Sequence, residues 1–178
     1  AALYTGVDWI SASGLPDPDN PGGEALGRTA GERFALFGQL ALSKQIGDLS
    51  LLAVPGILMN GNVTQTDESA LITLGLAGKI NLSHKYALFA EFVPILSGSE
   101  DAATLGILSL NEAGTNQVLY DAFTGGIEIA TGGHVFQVFV TNSLGINTSQ
   151  YMSGGNFDFA NADLRLGFNI YRLLNYPF

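Results

Sequence analysis

Ala70-Leu71-Ile72-Thr73-Leu74-Gly75-Leu76-Ala77-Gly78-Lys79-Ile80-Asn81-Leu82 divides into two interleaved series. Ala70, Ile72, Leu74, Leu76, Gly78, Ile80 and Leu82 are apolar or small, whereas Leu71, Thr73, Gly75, Ala77, Lys79 and Asn81 run toward small and polar. A period of two held over this length excludes an amphipathic helix and predicts a strand with one greasy face. The same alternation sets Phe34, Leu36, Gly38, Leu40 and Leu42 against Arg33, Ala35, Phe37, Gln39, Ala41 and Ser43. It also sets Leu164, Leu166, Phe168 and Ile170 against Asp163, Arg165, Gly167, Asn169 and Tyr171. Weaker versions run through 3–11, 86–94, 119–129 and 134–142. Residues 49–59 are apolar on both faces and are read as a strand from length and context.

These stretches predict eight strands, at 2–12, 32–45, 48–60, 68–82, 85–96, 117–130, 133–142 and 161–173. Several match the roughly 9–11 tilted residues that cross a bilayer. Their connections alternate strictly. The turns at 45–48, 83–85 and 130–133 are tight, and the segments 12–31, 61–67, 97–116 and 143–160 are long. All tight turns therefore fall at one end and all long loops at the other, as in barrels of the outer membrane. The expected fold is all-β: an antiparallel up-and-down transmembrane β-barrel in one domain, residues 1–178, with both ends of the chain on the periplasmic side.

Composition supports this reading. Charged residues make up 13% of the 178, against roughly 25% in ordinary soluble domains, with 23 glycines and a positive mean hydropathy. A formal net charge of −9 with seven Lys+Arg leaves no basic footprint for nucleic acid. The absence of cysteine excludes disulfides and thiolate chemistry. The most apolar charge-free stretch, from Leu49, contains Pro55, Gly56, Asn60, Gly61 and Asn62 and is no spanning helix. No signal-like segment precedes Ala1, so an export signal is expected to have been removed or to lie outside this numbering.

Three features favour lipid on the apolar face over a packed soluble core. The charge-bearing face is rich in Gly, Ala, Ser and Thr, which suits a narrow interior better than a soluble surface. Aromatic residues, among them Tyr4, Trp9, Tyr86, Phe92, Tyr120, Phe123, Tyr171 and Tyr176, stand near strand ends where interfacial girdles lie. The chain ends on Phe178, a terminal aromatic similar to the signal read by the barrel-assembly machinery. By parity, Asp8, Arg33, Lys79, Glu91, Glu128, Asp163 and Arg165 then face the lumen, because Lys or Arg facing mid-depth lipid costs about 2–4 kcal/mol. With eight strands these charges are expected to pair and plug the interior; with twelve or more they would line a selective constriction. Lys44 and Arg172 have the opposite parity but can snorkel from strand ends.

The motifs that could carry chemistry are thin. His84 and His134 both sit in tight turns without an acidic cluster, which favours rim packing over a metal site. Asp17-Pro18-Asp19-Asn20 with Glu24, and Glu100-Asp101, read as solvated loops rather than calcium sites. Gly132 and Gly133 suit a hairpin turn, and no GxSxG elbow is present. No catalytic, cofactor-binding or metal residues are expected.

The runs Thr131-Gly132-Gly133-His134-Val135-Phe136-Gln137, Thr141-Asn142-Ser143 and Gly167-Phe168-Asn169-Ile170-Tyr171-Arg172 occur in that order. Their pattern resembles the C-terminal signature of a Gram-negative bacterial outer-membrane β-barrel family of unknown function. Members of that family are generally longer, so the resemblance implies that Ala1 can be an internal position and this chain the C-terminal part of a larger barrel. It implies no activity. The expected role is a porin-like small-solute pore or a structural scaffold in the bacterial outer membrane. Its partners would be the lipid bilayer, the barrel-assembly machinery and other envelope proteins reached through the long loops. The alternatives are a soluble lipocalin-like carrier of an apolar ligand and a barrel enzyme.

Overall fold

A computed structural model describes residues 1–9, 14–15, 26–27, 33–59, 70–98, 120–145 and 147–172. The strands are β1 (Ala2–Trp9), β2 (Gly14–Leu15), β3 (Leu26–Gly27), β4 (Phe34–Ile46), β5 (Leu49–Met59), β6 (Ala70–Asn81), β7 (Tyr86–Val93), β8 (Ile95–Ser97), β9 (Ala122–Thr131), β10 (His134–Thr141) and β11 (Arg165–Arg172). One short helix, α1 (Thr148–Met152), lies in the β10–β11 connection. The main sheet runs β1-β4-β5-β6-β7-β9-β10-β11, with β8 also paired to β6, while β2 and β3 form a separate ladder. Every pairing along this sheet is antiparallel and its strands follow one another in chain order, which defines an up-and-down meander.

Tight turns fix the register where alternation predicted them. Gly47, at φ +59°, starts the Gly47-Asp48 turn that leaves Ile46 opposite Leu49. Gly133, at φ +113°, closes the turn that leaves Thr131 opposite His134. Both angles lie where a Cβ is penalised, so glycine is the residue these turns need. Pro55 marks an interruption in the β4–β5 ladder, which skips from Gln39↔Gly56 to Leu42↔Ala53. Proline has no N–H to contribute there.

Some strand ends move from their predicted places. The fifth predicted strand splits at Pro94 into β7 and β8, and the ladder of β8 with β6 shifts register between Ile72 and Thr73. The last predicted strand begins at Arg165, because Asp158 caps a 3-10 turn at Phe159–Asn161 and Ala162 takes φ +60°. Residues directly opposite in an antiparallel pair share a face, so the register sorts the whole sheet. Phe37, Leu58 and Leu71 stand opposite one another in sequence and are buried with Ala35 and Met152, with Ile95 packed beside them. The other parity is turned outward. Leu36, Leu40, Ile72, Leu76, Leu88 and Ile127 are exposed, and Leu166 and Phe168 reach 78% and 73%.

Helix α1 packs against β4 and β5, while Ser149 donates to Asp8 on β1. Those three strands are neighbours, but Tyr151 of the same five-residue helix faces Glu91 on β7 and Thr124 on β9, a reach that requires the sheet to curl around it. The inner face is therefore concave and filled, and the outer face is convex and apolar. Among the described residues β1 and β11 form the two ends of the sheet.

Candidate functional site: the filled lumen

The interior is built in two layers along the strands. Near the tight turns, Lys79 on β6 forms an ion pair with Glu128 on β9, and Gln137 Nε2 on β10 donates to the second Glu128 oxygen at 2.9 Å. One carboxylate thus joins three strands. Lys79 is the one cation in an ion pair among the described residues.

Near the long loops, the 142–164 connection folds back into the concavity. Asn142, at 0% exposure, anchors it. Its Oδ1 accepts from the Phe123 N–H at 2.7 Å, and its Nδ2 donates to the carbonyls of Asp121 and Phe157, both at 2.9 Å. Its own carbonyl accepts from the N–H groups of Asn156 and Phe157. Gly155 passes so close that a Cβ there would sit 2.3 Å from Asn142 Nδ2, and Gly155 also bridges to Tyr120. Helix α1 starts at Asn147, whose Oδ1 accepts from Gln150 N–H at 2.9 Å as an N-cap.

The residues that α1 delivers occupy the interior. Met152, at 0% exposure, joins Phe37, Leu58 and Leu71. Tyr151 faces Glu91 and Thr124, and burial together with the neighbouring Glu91 carboxylate pushes its phenol up, so it stays neutral. Among the described residues, the buried hydroxyls of Tyr151 and Thr73 have no hydrogen-bond partner. Ser149 donates to Asp8. Beyond the helix, Phe159 crosses to the outer face, 5.7 Å from Phe123 and 6.4 Å from Phe92 between ring centres. The same connection therefore fills the lumen and grips the rim from outside.

The sequence-predicted charges fall at different places. Asp8, Lys79, Glu91, Glu128 and Arg165 all lie on the parity that bears Phe37, Leu58 and Leu71. They form no single cluster: Lys79 meets Glu128, Asp8 meets Ser149, Glu91 faces Tyr151, and Arg165 stacks on the Phe157 ring at 4.6 Å. Arg33 is half-buried just before β4, and Asp163 is exposed before β11. Tyr4, expected in a girdle, shares the inner parity and packs on Phe37 at 5.4 Å. Tyr171 is also on the inner parity. Trp9, Tyr86, Phe92 and Phe123 take the outer one.

His84 is exposed in the β6–β7 turn, and the His134 ring lies 6.3 Å from Phe136. Among the described residues no three His, Cys, Asp or Glu groups gather as a metal site, and no helix is long and apolar enough to cross a membrane. Phe178, Tyr176, the Asp17–Asn20 loop with Glu24, and Glu100-Asp101 lie outside the described residues. Asn142, Ser149, Tyr151, Met152 and Phe159 were not singled out from the sequence for this site. The available hints were the Asn147 cap and the Gly154-Gly155 pair, both too local to reveal where the segment docks.

Residues 3–174 match the profile of a family described as "Membrane bound beta barrel domain (DUF5777)". No curated protein and no solved structure matches the chain.

Proposed function

This chain belongs to that family of membrane-bound β-barrel domains, and from that premise we propose that it is a plugged structural barrel of the Gram-negative outer membrane rather than an open pore. The fold is an all-β, antiparallel, up-and-down barrel, and its location is the membrane. A convex face with Leu166, Phe168 and Ile72 exposed agrees with hydrocarbon outside. A soluble carrier would bury those side chains against a ligand.

The observation that carries the plugged reading is the return of the 142–164 connection into the lumen, with Met152 buried among Phe37, Leu58 and Leu71. Below it, the Lys79–Glu128–Gln137 bridge joins β6, β9 and β10, reaching over β7. In a barrel of about eight strands, side chains suffice to fill the interior. The remaining long loops, on this reading, engage other envelope components, and the barrel-assembly machinery inserts the chain. The role includes no catalytic step.

The test is conductance in a planar bilayer, using protein whose gel migration differs before and after boiling. A plugged barrel is silent under moderate voltage. Steady, voltage-independent conductance would overturn the scaffold reading while leaving the barrel fold intact.

A further inference from the structure

At the two ends of the main sheet, β1 and β11 each have one strand edge without a partner among the described residues. In hydrocarbon an unpaired row of N–H and C=O groups is prohibitively costly, so β1 and β11 must each find a strand. We propose that they pair with each other, antiparallel, in the register that sets Asp8 directly opposite Arg165 inside the lumen.

Direction comes first. Each step from β1 to β11 along the sheet is antiparallel, and with eight strands on the path the first and last run in opposite senses. Facing comes second. Asp8, Gly6 and Tyr4 share the inner parity of Ala35, Phe37 and Gln39. Arg165, Gly167 and Asn169 share that of Thr141, Phe139 and Gln137. Closure must match these inner faces, which admits alternate registers only.

The stagger chooses among them. Arg165, Thr141, Thr124, Glu91, Ala77, Leu52 and Ser43 stand opposite one another around the sheet. Ser43 lies beyond Ala41, the partner of Ala2, on the tight-turn side. Bringing Asp8 to Arg165 therefore closes the sheet with a shear of about eight residues, which for eight strands means a tilt of roughly 36°. That value lies within the ~35–45° of membrane barrels. The register uses nearly all of both strands, running from Asp8 against Arg165 to Ala2 against Tyr171.

Charge decides between this register and the next. A longer stagger by two residues puts Asp8 opposite Gly167 and carries Arg165 past the end of β1 at Trp9. Among the described residues, Arg165 has no carboxylate within ion-pair distance and Asp8 accepts from a single hydroxyl, that of Ser149. Opposed across the seam, each supplies what the other lacks. Ser149 already ties the β10–β11 connection to β1, so the last hairpin is tethered to the first strand before the edges meet.

The chain has no cysteine, so engineered pairs report without background. In isolated membranes holding the full chain, two double variants probe the register: Thr5→Cys with Phe168→Cys on the outer face, and Tyr4→Cys with Asn169→Cys on the inner face. One of each is needed because only the non-hydrogen-bonded pair class of an antiparallel ladder brings side chains closest. Val138→Cys with Phe168→Cys, partners in the β10–β11 ladder, serves as the oxidation control. Mild oxidation is expected to bridge at least one seam pair within a single chain, shifting its mobility on a non-reducing gel. Thr5→Cys with Ile170→Cys, the next register, is expected to bridge far more slowly. A faster bridge at Thr5/Ile170 overturns the register. Dimer-sized products, which would place a second copy at each edge, overturn the self-closure. So does absence of any seam bridge while the control forms, as when further strands intervene.

Discussion

The Met152 methyl group rests on the backbone of Gly56: a Cβ at residue 56 would stand 2.9 Å from Met152 Cε, and 3.2 Å from Thr73 Oγ1. The missing side chain on β5 makes room for a residue about a hundred positions later in the chain. Filling that room should eject the plug. Gly56→Val is expected to displace Met152 and loosen α1, seen as faster protease cleavage within 142–164 with unchanged strand content. Met152→Ala, which leaves a cavity instead, is expected to cost about 2–5 kcal/mol, measured by denaturant titration.

Asn142 makes three side-chain hydrogen bonds at full burial. Asn142→Leu keeps the branching at Cγ but strands the Phe123 N–H and two carbonyls. A loss of about 1–3 kcal/mol is expected for each buried group left without a partner. Hydrogen exchange at Phe123, Asn156 and Phe157 is expected to accelerate before exchange at β4 or β5 changes. Uniform acceleration across all strands would assign Asn142 to the barrel as a whole instead of the plug.

The Lys79–Glu128 bridge should show the asymmetry of a partly buried ion pair. Lys79→Met leaves Glu128 with Gln137 alone and is expected to destabilise by about 1–3 kcal/mol, below the figure for full burial because Lys79 is partly exposed. Lys79→Met with Glu128→Leu is expected to recover most of that loss. A double variant worse than the single would mean that the charges are needed for more than each other's neutralisation.

Much of the barrel was legible because its physics is local. Strand 70–82 needs a period of two, and Gly47 and Gly133 need the turns that only they make cheaply. Inner parity for Lys79, Glu91 and Glu128 follows once a single face is known. What the sequence hid depends on distant partners. Asn147 to Met152 is too short for a helical period, and Ser149 gains meaning from Asp8, which stands at the other end of the chain. Tyr4 looked like a girdle residue from its position near a strand end. Its parity opposite Gln39, which puts it on Phe37, depends on the pairing of β1 with β4.

Phe159 offers a check on the rim. Its ring sits against Phe92 and Phe123 outside the sheet, while its neighbours in the connection fill the inside. Phe159→Ser is expected to weaken this grip by about 0.5–1.5 kcal/mol beyond lost area, raising exchange at the 158–162 amides and leaving Met152 in place.

The claim on which everything rests is that the apolar parity meets lipid. Single cysteines placed along β6 and labelled with a polarity-sensitive fluorophore test it residue by residue, using a quencher attached to the acyl chains. Labels at Ile72, Leu76 and Ile80, all exposed on the convex face, are expected to be quenched strongly. Labels at Thr73, Ala77 and Lys79 are expected to be quenched weakly, giving a period of two along the strand. Equal quenching at all positions, or the opposite phase, would contradict the account.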